Sequence, residues 1–414
     1  MTASTASDGA SSAAARFDAA TVLDLTDPAV VADPYPAFAA IRAQAPVAWH
    51  SGLDAWITTS HELTGAALRD RKLGRIFEPR EPESEWATFN WLHADSILDS
   101  EPPKHTRLRR LVAGAFARGH VQRLAPRIEE IAGRLLDEAL AGAGPDGSFD
   151  VIASYAEPLP VLVIAELLDW PEEDRHLLRP WSQAIVAMYE VDRTPEQEVA
   201  ARAASQEFVE YVERLAAQRS TSPGDDLLSD LVQARDGSDR LSTHELVATA
   251  VLLLNAGHEA SVNGFGNGLH SFLTAPERPS VDPGDPRAIE RLVEELLRHD
   301  SPLHLFVRTT IAPTELGGVA LAPGDRVCTL LGAANRDPAV FDSPDTFDPT
   351  RESNPHLAFG LGIHFCLGAP LARLELQIST ATLLSRLPRL EIVEARQRPT
   401  FVLRGFERLV VRPA

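Results

Sequence analysis

Apolar residues recur at helical spacing along most of the chain, which predicts a mainly α-helical protein with a minor β component. Between residues 121 and 140 they fall on one face, as in an amphipathic helix. From Ser242 to Leu273 no proline interrupts the pattern, and Ser242 with Glu245 forms a capping-box start. A helix of that length would measure roughly 48 Å, and its middle is apolar on several sides. We therefore expect it to be buried and to cross the whole domain.

Shorter patterns predict the remaining elements. A loop rich in proline, glycine and aspartate (275–286) precedes a second helix, Arg287 to His299, which Pro302 stops. Near the start, a helix ending at about residue 45 leads into a hairpin that turns at Ser51-Gly52. Runs of β-branched residues predict strands at 306–311, 319–321 and 326–330, and near the C-terminus. No repeat or linker is visible, so one domain (21–414) is predicted behind a disordered tail (1–20).

Composition narrows the function classes. Acidic residues outnumber basic ones by 59 to 39, a net charge of -20 that disfavours binding to nucleic acid or to an anionic membrane. The two cysteines, Cys328 and Cys366, provide no disulfide framework and fit a reducing compartment. The longest apolar run, Leu246 to Leu254, is far below the roughly 20 residues that span a bilayer. We expect a cytoplasmic protein.

The richest chemical signal is the segment Phe359-Gly360-Leu361-Gly362-Ile363-His364-Phe365-Cys366-Leu367-Gly368. Its glycines let the backbone approach a flat partner closely. A cysteine just ahead of a helix, predicted from residue 369 to 383, has its thiolate favoured by the positive end of the helix dipole. These are the conditions that an iron–sulfur bond needs. Cys328, in an apolar strand, is interpreted instead as a small buried hydrophobic residue.

Other interpretations of Cys366 compete on the residues alone. A Cys–His hydrolase would use His364, but two residues so close in a tight loop rarely face one substrate, and no orienting Asn or Asp is obvious. A zinc site would need more thiolates or histidines in register. A plain buried cysteine would leave the three glycines and His364 unexplained.

The segment resembles the haem-binding loop of the cytochrome P450 family, the haem-thiolate monooxygenases. It matches all six defined positions of the pattern F-G-x-G-x-[HR]-x-C-x-G. The resemblance implies a single triangular domain, with haem b between the long central helix and the helix after the cysteine loop. It implies that Cys366 is the axial ligand, that Phe359 packs near the sulfur and that His364 binds a haem propionate, with Gly360 and Gly368 in the same cofactor-binding loop. A thiolate ligand favours cleavage of the O–O bond.

Further segments resemble the same family. The family's E-x-x-R helix and its downstream arginine, which have a structural role, correspond to Glu295, Arg298 and Arg351. Residues 99–109 resemble its propionate-binding helix start, where His105 and Arg109, four apart, can face one anion. Arg308 matches another propionate-binding position.

The long helix carries Asn255-Ala256-Gly257-His258-Glu259-Ala260-Ser261, which resembles the family's distal motif A-G-x-[DE]-T-[TS]. The resemblance makes Glu259 the acid of a proton relay. Ala260 stands where threonine is usual, and Ser261 does not simply replace it because the next residue of a helix is turned by about 100°. We hypothesise that a substrate hydroxyl or an ordered water relays protons, with Glu259 as their source. The simple alternative is poorly coupled turnover.

The remaining expectations concern substrate and partners. The substrate pocket is expected to be lined by Leu252, Asn255, Ala256, His304, Phe306, Phe401 and Val402. Two variable segments, 73–98 and 178–204, would cover it, and the aromatic residues of the first (Trp86, Phe89 and Trp91) suggest a mid-sized apolar or aromatic substrate. A lipid or steroid would fit as well, and the same aromatic residues are also compatible with plain packing. We expect a monomer that uses dioxygen and takes electrons from a ferredoxin and its reductase. A basic patch would steer that acidic partner: Lys104, Arg107, Arg110 and Arg373.

Two other functions stay open at this point. Ala260 is compatible with a non-catalytic haem protein, either a gas sensor or a binding scaffold. Oxidative coupling or demethylation is compatible with the same residues as hydroxylation.

Overall fold

The computed structural model describes residues 17–113, 118–236 and 239–414, and it confirms a mainly helical domain with small sheets. The helices are α1 (Pro28–Ala32), α2 (Tyr35–Gln44), α3 (His61–Arg69), α4 (Glu83–Ala94), α5 (Lys104–Ala113), α6 (Arg118–Arg123), α7 (Ala125–Ala141), α8 (Pro158–Leu167), α9 (Leu178–Val186), α10 (Pro195–Thr221), α11 (Leu227–Gln233), α12 (Thr243–Thr274), α13 (Pro286–His299), α14 (Leu331–Ala334) and α15 (Ala369–Arg386). The strands are β1 (Val47–His50), β2 (Ala55–Thr58), β3 (Leu73–Gly74), β4 (Phe149–Asp150), β5 (Arg235–Asp236), β6 (Asp239–Arg240), β7 (Leu305–Thr310), β8 (Thr314–Leu316), β9 (Val319–Leu321), β10 (Arg326–Leu330), β11 (Leu390–Gln397) and β12 (Phe406–Pro413).

The long central helix is confirmed as α12. The Ser242 hydroxyl accepts the Glu245 N–H, and the Glu245 carboxylate accepts the Ser242 N–H, so the capping box is closed in both directions. α12 contacts α8, α9, α10, α13 and α15 and is buried along most of its length. A Cβ on Gly268 would lie 2.5 Å from Cβ of Leu296, so this glycine allows α13 to pack closely.

The largest sheet has the order β1-β2-β10-β7-β3, and its β1–β2 hairpin is the predicted one. β10 runs parallel to β2 and antiparallel to β7. Cys328 on β10 is 1% exposed, which confirms its interpretation as a core residue. A second sheet, β11-β12-β4, lies near the C-terminus. None of the helices in the described ranges is long and apolar enough to cross a membrane.

Two predicted boundaries need correction. Residues 17–20, assigned to the tail, belong to the folded domain because Ala19 is fully buried and the Asp18 carboxylate accepts the N–H groups of Ala20 and Ser51. The rest of the predicted tail lies outside the described residues. The amphipathic helix begins at Ala125 rather than at residue 121, because Pro126 occupies its first turn and α6 ends at Arg123.

Candidate active site

The cysteine loop precedes α15 and is fixed by its own backbone. The Cys366 N–H donates to the Phe359 carbonyl at 3.0 Å, and residues 362–364 form one 3-10 turn. Burial raises the pKa of the Cys366 thiol, whereas N–H groups of Gly368 and Ala369, which point at the sulfur, lower it. The loop therefore presents a half-buried thiol with the amides at the start of α15 directed toward it.

Two of the three glycines in this loop are required by the backbone. Gly360 and Gly362 have φ values of 67° and 75°, in the left-handed region that side chains disfavour. At Gly362 an added Cβ would also lie 2.5 Å from the carbonyl oxygen of Leu68. Gly368 has an ordinary φ of −80°, and a Cβ there would lie 4.0 Å from the sulfur of Cys366. Its conformation does not demand glycine.

Aromatic and charged side chains enclose the loop. The Arg373 guanidinium lies 4.4 Å from the centre of the Phe359 ring and is held by two hydrogen bonds to Glu294 at 2.7 and 2.8 Å. Arg109 donates to the Phe365 carbonyl at 2.8 Å. Both arginines also lower the pKa of Cys366 through their charge. Phe359 and Arg109 thus lie at the loop, as their predicted roles require.

His364 does not face Cys366 as a catalytic base would. Its Nε2 lies 2.9 Å from Oε1 of Glu101, which also accepts the Arg75 N–H. Although burial raises it, these hydrogen bonds bring the pKa of Glu101 below its usual value. Within the described residues, His364 makes no hydrogen bond to Cys366, so this loop does not contain the Cys–His dyad of a hydrolase.

Beside the loop lies a cluster of His105, His364, Arg75 and Arg308, called the cationic cluster because of its two guanidinium groups. His105 is 2% exposed, its ring centre is 4.5 Å from that of His364, and its buried Nε2 has no hydrogen-bond partner among the described residues. Burial, then the charges of His364 and Arg109, lower the pKa of His105 to about 4. Arg308 is also 2% exposed, and burial together with the charge of Arg75 lowers its pKa to about 9.

This cluster fits an anionic ligand. Within the described ranges, no carboxylate lies within ion-pairing distance of Arg308, whose observed acceptor is the carbonyl of Val307. The charges of Glu101 and Asp99 offset part of the cost of burying this guanidinium, but neither carboxylate pairs with it directly, and a ligand anion could do so. The orphan Nε2 of His105 adds a second group that can bind an oxygen. Haem b carries two propionates and needs one axial ligand, so the cluster and Cys366 together have the donor set for haem.

One face in the middle of α12 is left open within an otherwise buried helix. Ala256 is exposed, and Leu252 and Ala260 are partly exposed, at i, i+4 and i+8 on one side of the helix. Two of these three side chains are single methyl groups, so the face leaves space beside it. Asn255, next to Ala256, is buried with its Oδ1 unpartnered. The open face and Asn255 agree with the predicted pocket wall.

Glu259 is turned away from this open face and is held by an ion pair. It is 4% exposed, and Oε2 accepts a hydrogen bond from Arg398 at 2.7 Å. Arg398 also pairs with Glu157 at 3.2 Å, and Glu157 pairs with Arg179. Ser261 is buried too, on a different side of the helix from Ala260. Arg398 is a partner of the acid that the sequence did not indicate.

Three residues that were predicted to line the pocket belong to the core instead. His304 is fully buried, with Nε2 3.4 Å from the Tyr35 hydroxyl, and Phe401 and Val402 are each 5% exposed in the same core cluster. The half-exposed residues are Leu303 and Leu403, which pair in an isolated β-bridge. Extended segments alternate their faces residue by residue, so a shift of one residue exchanges the core face for the more exposed face.

Other predicted pocket residues serve packing. Phe306 lies between two guanidinium groups, those of Arg75 at 5.2 Å and Arg308 at 5.8 Å, and so belongs to the cationic cluster. In the first variable segment, Trp86 and Phe89 are buried against each other, with ring centres 5.2 Å apart. These aromatic residues therefore give little information about the substrate.

The predicted basic patch is largely neutralised. Each of its cations contacts a carboxylate, in the pairs Lys104–Asp95, Arg107–Glu245, Arg110–Asp239 and Arg373–Glu294. The surface near the cysteine offers an apolar feature instead, the 36% exposed ring of Phe365.

The structural triad is present as predicted. Glu295 and Arg298 are both fully buried and share two hydrogen bonds of 2.7 Å, and Arg351 lies 3.4 Å from Oε1 of Glu295. Arg298 also donates to carbonyls of the segment that leads to the cysteine loop, at residues 335, 344 and 346. The pair therefore anchors that segment to α13.

Comparison with known proteins agrees with this geometry. Residues 288–413 match the family model described as Cytochrome P450. Cytochrome P450 107B1 of Saccharopolyspora erythraea is 41% identical over 88% of this chain and 90% of its own length, and 6-deoxyerythronolide B hydroxylase of the same organism is 38% identical over 95% and 99%. The crystal structure of P450BioI, in complex with an acyl carrier protein ligated to hexadec-9Z-enoic acid, superposes with a TM-score of 0.88 and 34% identity, covering 94% of this chain and 99% of that one.

Proposed function

The chain belongs to the cytochrome P450 family, and on that premise we propose that it oxidises a mid-sized apolar or aromatic small molecule in bacterial secondary metabolism. As a member of the family it is a monooxygenase whose cofactor is haem b. Bound haem supplies the activation of dioxygen, from which one oxygen atom enters the organic substrate. A relative with 38% identity is named for the hydroxylation of 6-deoxyerythronolide B, which supports a natural product as substrate.

We assign the cofactor contacts to residues of this chain. Cys366 would hold the haem iron through its sulfur; burial on balance raises the pKa of its thiol, and the amides after it and two nearby arginines offset part of that cost. Arg308, His105, His364 and Arg109 bind the propionates. The observation that carries this assignment is the buried guanidinium of Arg308, which has no carboxylate among the described residues to pair with it.

We further propose that the substrate, or a water that it holds, relays protons. The open face of α12 carries Ala256 and Ala260, neither of which has a hydroxyl. Glu259 can hold a proton at its carboxylate, but that carboxylate is bonded to Arg398 and lies off the open face. A hydroxyl from outside the helix is therefore needed to carry a proton from the Glu259 carboxylate to the open face. A substrate with a hydroxyl near its reacting carbon meets this need.

The variant Ala260→Thr tests this step through the product formed per electron consumed. We expect little change or a decrease, since the new side chain competes with the substrate's hydroxyl for the same space. The matched control is Ser261→Ala, which removes a buried hydroxyl off the open face and leaves the ratio unchanged. A large gain in Ala260→Thr would show instead that the wild-type enzyme is simply poorly coupled.

The electron donor that we propose is a ferredoxin with its reductase, docking at the exposed Phe365 ring next to the cysteine loop. Since each cation of the basic patch already has an acidic partner, electrostatic steering should be modest. Phe365→Ser should therefore slow reduction of the haem more than a rise in salt does. A reduction rate unaffected by the variant would exclude this surface.

Electron consumption tests the function as a whole. With ferredoxin and reductase supplied, a monooxygenase consumes reducing equivalents faster when a candidate natural product is added, and oxygenated product accumulates. A haem sensor or scaffold binds haem and shows neither response. Mass analysis of the product separates hydroxylation, which adds one oxygen atom, from demethylation or coupling.

A further inference from the structure

Two adjacent glutamates of α13 meet the part of the chain that carries the cysteine loop. Glu295 belongs to the structural triad, whereas Glu294 bonds to a different set of residues. The Glu294 side chain is 20% exposed, and its carboxylate takes part in three hydrogen bonds. A carboxylate that is mostly buried and fully engaged has a fixed position, so its charge acts on its surroundings more strongly than that of a surface glutamate.

Glu294 binds Arg373 of α15 at two points. Nε and Nη2 of the guanidinium donate to the two carboxylate oxygens at 2.7 and 2.8 Å, the fork geometry that suits this pair of groups. Although burial raises it, the hydrogen bonds from Arg373 and His356 bring the pKa of Glu294 to about 2. The carboxylate is therefore charged at neutral pH, and its charge lies directly against that of the guanidinium.

His356 supplies the third hydrogen bond. Its Nδ1 accepts the N–H of Ala358 at 3.2 Å, so the ring proton lies on Nε2, which is 3.0 Å from Oε2 of Glu294 and donates to it. His356 belongs to the segment that leads into the cysteine loop, and its side chain is buried. Glu294 thus joins α13, α15 and the segment before the loop through one carboxylate.

The guanidinium that is held in this way lies next to the cysteine loop. Its carbon lies 4.4 Å from the centre of the Phe359 ring, and the Phe359 carbonyl accepts the Cys366 N–H. Burial raises the pKa of the Cys366 thiol, and the charge of Arg373 offsets part of that rise. The pKa of Arg373 is raised in turn, first by its hydrogen bonds to Glu294 and also by the charge of Cys366. Glu294 therefore compensates a cation that acts on the sulfur.

We propose that Glu294 is a positioning residue that holds the Arg373 guanidinium over Phe359 and offsets its charge, so that the Cys366 sulfur keeps its electron density when it binds the haem iron. The inference rests on the proposed function in taking Cys366 as the thiolate ligand, whose electron density favours cleavage of the O–O bond. Without Glu294, the guanidinium is uncompensated and free to approach the sulfur. Reduction of the haem iron adds one negative charge, which a nearby uncompensated cation favours.

The reduction equilibrium of the haem tests this proposal, measured in the intact protein with small mediator dyes and without ferredoxin. Glu294→Gln should raise the equilibrium constant for one-electron reduction about tenfold, a shift of about 59 mV. The matched control is Glu290→Gln, at an exposed glutamate one turn earlier on α13 whose charge also acts on Arg373. It should stay within about twofold of wild type, because solvent screens its charge. A constant for Glu294→Gln no higher than that of Glu290→Gln overturns the proposal.

Arg373→Gln shows whether Glu294 acts through the arginine. Alone, this variant removes the cation and should lower the equilibrium constant severalfold; an unchanged constant would contradict the proposal even if Glu294→Gln took up no haem. Adding Glu294→Gln to Arg373→Gln should change the constant less than about threefold, because no guanidinium remains to be released. A shift as large as in the native background would mean that the charge of Glu294 acts on its own.

A merely structural pair would lower thermal stability and leave the reduction equilibrium unchanged. The carbon monoxide spectrum of the reduced protein separates the two possible failures. If wild type lacks the band of a thiolate-bound haem, the proposed function fails. If wild type and the variants all show that band and share one equilibrium constant, the proposed function stands and the role of Glu294 is wrong.

Discussion

The cysteine loop before α15 is held mainly by local contacts, whereas the open face of α12 takes its character from distant parts of the chain. In the loop, the N–H of Cys366 bonds to Phe359 seven residues away, and two positive φ angles are met by glycine. On α12, the acid of the motif is fixed by Arg398, far along the sequence, and the alanines of the open face are left exposed or partly exposed by the described parts of the chain.

This difference explains why the cysteine loop could be identified from the sequence, whereas the open face of α12 could not. A contact between near neighbours leaves a compact motif, so the loop could be identified residue by residue. A helix face that a ligand covers shows only small residues in the sequence, and these look like ordinary helix positions.

The largest effect on product formation is expected for a variant that removes the cysteine of the loop. Cys366→Ser replaces the thiolate by a poor ligand, and we expect product formation to fall at least about a thousandfold. Cys328→Ala is the matched control, because Cys328 is a buried strand residue and its loss should cost only about 1 kcal/mol of stability. Product analysis under saturating ferredoxin provides the measurement. Equal activity of wild type and Cys366→Ser would show that Cys366 is not the haem ligand.

A second test concerns Glu375 on α15, the helix that joins the two regions. Glu375 is 4% exposed, and burial raises its pKa to about 8, from an ordinary value of 4.5. Since the folded-state pKa is the higher one, its stabilising contribution is complete below pH 4.5 and is lost as pH rises toward 8. Over that window the free energy of unfolding should fall by up to about 1.4 kcal/mol per pH unit.

Glu375→Gln removes this loss. We expect the variant to be more stable than wild type at pH 8, by roughly 2–4 kcal/mol, and to have a flatter profile between pH 5 and 8. Denaturant titrations at several pH values measure it, with the exposed Glu129→Gln on the neighbouring α7 as control. Parallel pH profiles for Glu375→Gln and wild type would mean that Glu375 is not neutral in the folded state.

A smaller effect is expected at the cationic cluster. Arg308→Leu removes a buried charge that we assign to a propionate, so haem should dissociate roughly tenfold to a hundredfold faster. The folded protein without haem should be no less stable than wild type, because the cost of burying a guanidinium that Glu101 and Asp99 compensate only in part is gone. Arg326→Leu on the neighbouring β10 is the control, since Arg326 bonds to the carbonyl of Leu53 instead. Transfer of haem to an acceptor protein reports the rate.

Particular residues show where sequence reasoning succeeds and where it ends. The bounds of α12 were predicted within one residue, because a capping box and an unbroken apolar run are local signals. The burial of His304, Phe401 and Val402 could not be predicted, since alternation gives the period of an extended segment but not which face meets the core. The contacts of Glu294 could not be predicted either, because a glutamate of an amphipathic helix looks like a solvated position until α15 places Arg373 against it.

The cationic cluster could be predicted only in part. His105 and Arg308 were indicated by family resemblance, but the orphan nitrogen and the missing counter-charge become visible only when the fold buries them. Arg75 and Glu101 were not assigned a role, although Glu101 lies within the segment that was recognised. Their positions depend on how β3 meets the start of α5, which is a property of the tertiary fold.

The most direct measurement of the central claim is the spectrum of the reduced, haem-loaded protein with carbon monoxide. Ligation by the Cys366 thiolate predicts the strongly red-shifted Soret band of a thiolate-bound haem–carbon monoxide complex, present in Cys328→Ala and absent in Cys366→Ser. A band at the position of a nitrogen-ligated haem, or a protein that takes up no haem, would contradict it.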